Sequence, residues 1–252
     1  MVNDFVSGFL AVPRGMAIVF KSKKLISIAA APVLIGIFAL LGFAGYVIPH
    51  YMVIHHYFED FLIQFFAIGT QNILMQTGLH SIVFLLVVSL ALTSVYILFL
   101  LTKILAAPFY AVLSSEVLKM RGVTKPSSLS FARWMLLSFR TTAVSLIEVF
   151  MFTIIGAVLF VFSFIPVVNV LAAFGFFLIM AYDSTDYSLD VLNLGLPARI
   201  RYFFSHFAQF CGFALAISLV MLVPVLNLVL LSVSVAGGAD LVSRNLKVRN
   251  SK

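Results

Sequence analysis

Apolar residues fall in long unbroken runs, not at the alternating positions of a half-buried strand or on one stripe of a soluble helix. The first run extends from Leu25 to Ile48 and the second from Ile82 to Thr102. At 1.5 Å per residue they predict helices of about 36 and about 31 Å, enough to cross a hydrocarbon core of about 30 Å. Between them, His50–Ser81 holds Glu59, Asp60 and four of the five histidines but no Lys or Arg. Tyr57, Phe58, Phe61, Phe65 and Phe66 recur there near helical spacing and predict a short helix lying on the membrane surface.

The later half contains an internal repeat. Phe164-Ile165-Pro166-Val167-Val168-Asn169 and Leu222-Val223-Pro224-Val225-Leu226-Asn227 share one pattern, and each proline divides an apolar stretch into two arms. Phe150–Ile165 and Val167–Tyr182 come to about 24 Å each, Phe207–Val223 and Val225–Ala239 to about 26 and 22 Å. These arms are short for a bilayer, and their turns carry no charge to anchor them among headgroups. They predict helix–Pro–helix hairpins over 150–182 and 207–239 that enter the membrane and stop within it. The alternative is two short spanning pairs, six ordinary transmembrane helices in all.

The remaining stretches connect these elements. Asp4–Phe20 is moderately apolar and contains Gly8, Pro13 and Gly15, as expected of an interfacial arm. The N-terminal apolar run is too long and starts too late for a cleavable signal. Ala106–Arg140 is the most charged and Ser/Pro-rich connection, with Pro108 expected to open a helical segment carrying an (i, i+3) pair of Glu116 and Lys119. The predicted fold class is therefore an all-α integral membrane protein. It has two long transmembrane helices, two half-penetrating helix–Pro–helix hairpins and interfacial amphipathic helices, in a single membrane domain over residues 1–252.

Composition agrees: 63% of residues are hydrophobic and 10% charged, against about a quarter charged in soluble domains. The net charge of +7 does not indicate nucleic acid, because Lys and Arg sit in short clusters between apolar runs. By the positive-inside rule this places both termini in the cytoplasm and His50–Ser81 outside. The single cysteine, Cys211, excludes a disulfide framework within the chain.

No phosphate-cradling loop, zinc-protease helix or nucleophile elbow is present, so no enzyme activity and no cofactor are expected. The chemistry on offer is anion handling. Proline suits the first position of a helix, so Pro166 and Pro224 are expected to start half-helices whose free N–H groups face the membrane interior. Asn169 and Asn227 would add amide donors, or only brace the bends. Lys21, Lys23 and Lys24 before the first span could gather anions, or only fix topology. Glu148 could pair with Arg140. Asp183, Asp186 and Asp190 share one helix face and read as a wet surface. His50, His55 and His56 lack a cysteine or well-spaced carboxylate partner, and no metal site is assigned to them.

The ordered set Ala106-Ala107-Pro108-Phe109 with Glu116, Phe164-Ile165-Pro166, Tyr182-Asp183-Ser184-Thr185-Asp186-Tyr187, and Val223-Pro224-Val225-Leu226-Asn227-Leu228 with Val235-Ala236-Gly237-Gly238-Ala239 resembles the CysZ sulfate permease family. The resemblance implies a bacterial inner-membrane protein with two long spanning helices and two hemi-penetrating hairpins. It also implies an oligomer that takes up sulfate for cysteine biosynthesis. The family's sulfate-binding Gly-x-Arg stretch precedes the first span; here that place reads Ser22-Lys23-Lys24, which keeps charge but loses the bidentate fork of arginine.

The function expected is passive, channel-like uptake of sulfate or a similar oxyanion by a homo-oligomer in the lipid bilayer. A non-transporting membrane-shaping or scaffold protein would use the same hairpins as wedges. A regulatory subunit of another transporter would equally lack an energy-coupling motif.

Overall fold

The protein is described by a computed structural model over residues 1–66, 73–124 and 150–250. Nine helices are seen among these residues: α1 (Val2–Phe9), α2 (Ala11–Phe20), α3 (Lys23–Phe66), α4 (Ile73–Met120), α5 (Phe150–Phe162), α6 (Val168–Val191), α7 (Leu196–Ser205), α8 (Phe207–Met221) and α9 (Pro224–Asn250). The all-helical membrane architecture expected from the apolar runs is therefore present. Two compact units are distinguished: Met1–Val33 with Ile104–Lys252, and Leu34–Lys103.

The unit Leu34–Lys103 consists of the long middle parts of α3 and α4. Leu62, Leu79, Val83 and Val87 are buried between them, with Tyr51, Ile54 and Phe58 packed alongside. Phe38, Leu41, Leu85 and Leu92 remain exposed over more than half their surface. Bare apolar surface of that extent requires lipid or protein cover.

Neither long helix ends where the hydropathy does. α3 continues through Pro49 to Phe66, so Tyr57, Phe58 and Phe61 lie on the same helix as the first apolar run and not on a separate surface helix. Polar residues such as Glu59 and Asp60 mark contact with water, but they do not stop a helix. α4 likewise passes through Pro108, which was expected to open a new segment. An interior proline costs about 3 kcal/mol, but the neighbouring Ala106, Ala107, Tyr110 and Leu113 are all buried and offset that cost. At 44 and 48 residues, the helices come to about 66 and 72 Å of helical rise, about twice the thickness of a hydrocarbon core.

The other unit packs α6 against α8 and α9, with α1 on α8 and α2 on α9. Glycines permit that addition. A Cβ on Gly8 would lie 1.8 Å from the Gln209 carbonyl oxygen, and one on Gly212 would lie 2.0 Å from that of Phe5. Gly15 and Gly237 do the same for α2 and α9, where added Cβ atoms would meet the Val233 and Ala11 oxygens at 2.2 and 2.3 Å. The N-terminal arm is therefore a helical pair docked on α8 and α9. Pro197 sits in the first turn of α7, and an 83° bend at His206 turns α7 into α8.

Of the two prolines of the internal repeat expected to open helices, one does so. Pro224 is the first residue of α9, with Asn227 in the first turn. Pro166 does not start a helix: Val167, at φ 73°, intervenes, and α6 begins at Val168. The second arms are also longer than the apolar pattern suggested, because α6 continues to Val191 and α9 to Asn250. α5 and α6 lie against each other at two glycines, Gly156 facing Phe176 and Gly175 facing Leu159.

Candidate functional site

The residues before the first span form the start of α3. Ser22 lies just outside the helix, and its carbonyl accepts the first helical hydrogen bond from the Ile26 N–H at 3.0 Å. The N–H groups of the first turn precede any helical acceptor, which gives this end its partial positive charge. Lys21, Lys23 and Lys24 are all exposed around it. The Lys23 carbonyl accepts from the Ser27 hydroxyl.

Lys24 is not a free cation. Its ammonium donates to Glu116 Oε2 at 2.7 Å, and Lys119 meets the other carboxylate oxygen at 3.1 Å. The (i, i+3) pair expected on α4 is thus part of a three-residue chain joining α4 to the start of α3. Nearby in the same helix arrangement, the Ser232 hydroxyl donates to the Ala29 carbonyl at 2.8 Å and ties α9 to α3.

A second charged group follows directly on α4. Arg121 and Arg244 both engage Asp240, at 2.5 and 2.8 Å, and the Asp240 side chain is almost fully buried. Arg14 on α2 lies close enough for all three charges to act on it; burial, then the Arg244 charge, lower its pKa, though an arginine remains charged at neutral pH. Two guanidinium groups on one carboxylate, with the Arg14 charge acting on the same group, leave a net positive cluster. Hydropathy hid it, because Asp240 sits inside an apolar helix and its partner Arg121 lies far away in sequence. The only local sign was the (i, i+4) spacing of Asp240 and Arg244.

The Asp183, Asp186 and Asp190 face is not a wet surface. Arg199, 4% exposed, clamps Asp186 at 2.6 Å and also engages Asp190, while its Nε donates to the Leu194 carbonyl at 2.7 Å. This clamp ties the end of α6 to α7. Beside it the Tyr182–Tyr187 stretch packs against the Val235–Ala239 stretch: a Cβ on Gly238 would approach the Ser184 oxygen at 3.0 Å. The Ser114 and Ser188 hydroxyls meet at 2.8 Å between α4 and α6.

At the first hairpin tip Asn169 is exposed and its N–H donates to the Ile165 carbonyl. Phe164, Val167 and Leu222 are exposed over 73, 82 and 76% of their surfaces, so the two tips are largely apolar. Arg140 and Glu148 lie outside the described residues.

The profile of the family described as "Sulfate transporter CysZ/Etoposide-induced protein 2.4" matches residues 11–232. The chain is 34% identical over 144 residues to the sulfate transporter CysZ of Pseudomonas fluorescens strain SBW25, covering 55% of this chain and 56% of the relative. It is 31% identical over 159 residues to that of strain Pf0-1, covering 61 and 63%. With the same-named protein of Pseudomonas syringae pv. tomato it shares 32% over 167 residues, covering 63 and 65%. The chain thus aligns with less than two thirds of the length of these relatives.

Proposed function

The chain belongs to the sulfate transporter CysZ/etoposide-induced protein 2.4 family, and from that premise we propose that it is a sulfate permease and not an enzyme. The observation that carries the reading is the start of α3. There Ser22-Lys23-Lys24 takes the place of the family's Gly-x-Arg stretch, at a helix end with free N–H groups and three exposed lysines.

The lysines raise the local concentration of a divalent oxyanion. The first-turn N–H groups then replace part of its hydration. Glu116 moderates the attraction by holding Lys24, so that the anion is drawn in without being trapped. Arg121 and Arg244 on Asp240, with Arg14 acting on the same group, supply further net positive charge. No carboxylate of a proton-coupled carrier is needed for this scheme, so uptake is passive and channel-like.

The rest of the reading follows from the same premise. The protein sits in the bacterial inner membrane with both termini cytoplasmic, supplies sulfate for cysteine biosynthesis and works as a homo-oligomer. The proline turns lie within the bilayer, covered by neighbouring subunits. Sulfate uptake by proteoliposomes tests this directly. Folded protein that gives no flux above lipid-only vesicles overturns the permease reading.

The apolar tips favour one rival, a membrane-wedging protein. It predicts vesicle remodelling with no sulfate flux, whereas the permease gives flux without change of vesicle shape.

A further inference from the structure

Within the unit Leu34–Lys103, three histidines from two helices converge on one carboxylate. His55 and His56 stand one turn before Glu59 on α3, and their Nδ1 atoms lie 3.8 and 3.6 Å from its Oε2. His80 comes from α4 and brings its Nδ1 to 3.5 Å from Glu59 Oε1. The His55 and His80 rings lie nearly parallel, 6.2 Å apart. The ligating atoms of His55, His56 and Glu59 all fall within 4.8 Å of one another.

These separations are too long for direct hydrogen bonds, which need about 2.7–3.2 Å. They match a shared ion instead. Neighbouring ligands of a tetrahedral ion at about 2.1 Å lie about 3.4 Å apart, close to the three histidine–carboxylate separations, with His80 at one oxygen of Glu59 and His55 and His56 at the other. Glu59 and His55 are half-buried while His56 and His80 face outward, so an ion could enter from solution. The backbone positions are fixed by packing, since Leu62, Leu79 and Val83 are buried between α3 and α4 beside the cluster.

We infer that His55, His56, Glu59 and His80 form a site for a divalent transition metal of the zinc class, which staples α3 to α4. Three imidazoles and one carboxylate suit zinc, nickel or copper, whereas magnesium and calcium require predominantly oxygen ligands. His50 takes no part: its Nδ1 is 2.7 Å from the Tyr46 carbonyl and its ring stacks on Tyr46. Sequence spacing grouped His50 with the other two and missed His80, because His80 reaches the cluster only through the pairing of two helices.

The test uses the full chain in detergent, purified through a histidine-free tag and stripped of metal, then titrated with zinc against a chromophoric chelator. The expected result is one zinc per chain in the micromolar range. His80→Ala or Glu59→Gln should weaken it by at least about tenfold, and His50→Ala should leave it unchanged. Cobalt provides a readout on the unaltered chain, an intense visible band from tetrahedral coordination. No stoichiometric zinc, the same affinity in the His80→Ala chain with wild-type helix content by circular dichroism, or no tetrahedral cobalt band would each overturn the site.

Discussion

The Lys24 ammonium rests 2.7 Å from the Glu116 carboxylate, across 92 residues of chain. This contact makes the charge at the start of α3 adjustable from α4. The Glu116→Gln variant frees Lys24 and adds one net positive charge. Sulfate binding should tighten about threefold at low salt, in keeping with a largely exposed pair worth under about 1 kcal/mol. The gain should vanish at high salt. Isothermal titration at two ionic strengths reads both effects.

Replacing Lys23 and Lys24 together with glutamine should act in the opposite direction. Sulfate binding should weaken about tenfold at low salt, with a shallower salt dependence, since two charge-assisted contacts are lost. Unchanged binding would leave the lysines as topology signals only.

Gly8 and Gly212 bring the backbones of α1 and α8 together with no room for a methyl group. Gly8→Ala and Gly212→Ala should each lower stability by about 1–3 kcal/mol through forced separation of the helices. Gly42 has nothing within 4 Å of its Cβ position, so Gly42→Ala should be neutral or stabilising by up to about 1 kcal/mol through helix propensity. Denaturation midpoints in one detergent compare the three.

Asp240 is the buried counter-charge for Arg121 and Arg244. Asp240→Asn leaves two partly exposed guanidinium groups without their counter-charge and should cost about 1–2 kcal/mol. Arg244→Gln, whose side chain is 46% exposed, should cost under about 1 kcal/mol. Equal losses in the two variants would count against Asp240 as the centre of the group.

Val167 holds φ 73° and ψ −49°, a conformation that β-branched residues disfavour. Its side chain is 82% exposed, so removing it opens no cavity. Val167→Gly should raise stability by about 1 kcal/mol, measured by the same denaturation.

Hydropathy sufficed for the membrane character, the helical class, the two long apolar helices and the proline-bearing repeat, because each is written locally in one stretch. It failed where stability comes from a distant partner. Arg199 in sequence resembles any loop arginine, and only its burial against Asp186 and Asp190 makes those aspartates internal. Pro108 reads as a breaker until the packing of Ala106, Ala107 and Leu113 is known. Of the residues proposed to bind the anion, the lysine cluster was legible, but the Lys24–Glu116 contact was not. The guanidinium group at Asp240 was missed altogether, since apolar runs conceal single charges.

The glycine contacts that seat α1 and α2 also order the events of synthesis. Gly8 meets α8 and Gly15 meets α9, about two hundred residues further along the chain, which at 5–20 residues per second is about 10–40 s of translation. Until then the first two helices have no permanent seat. The beginning of this protein is among the last parts to find its place.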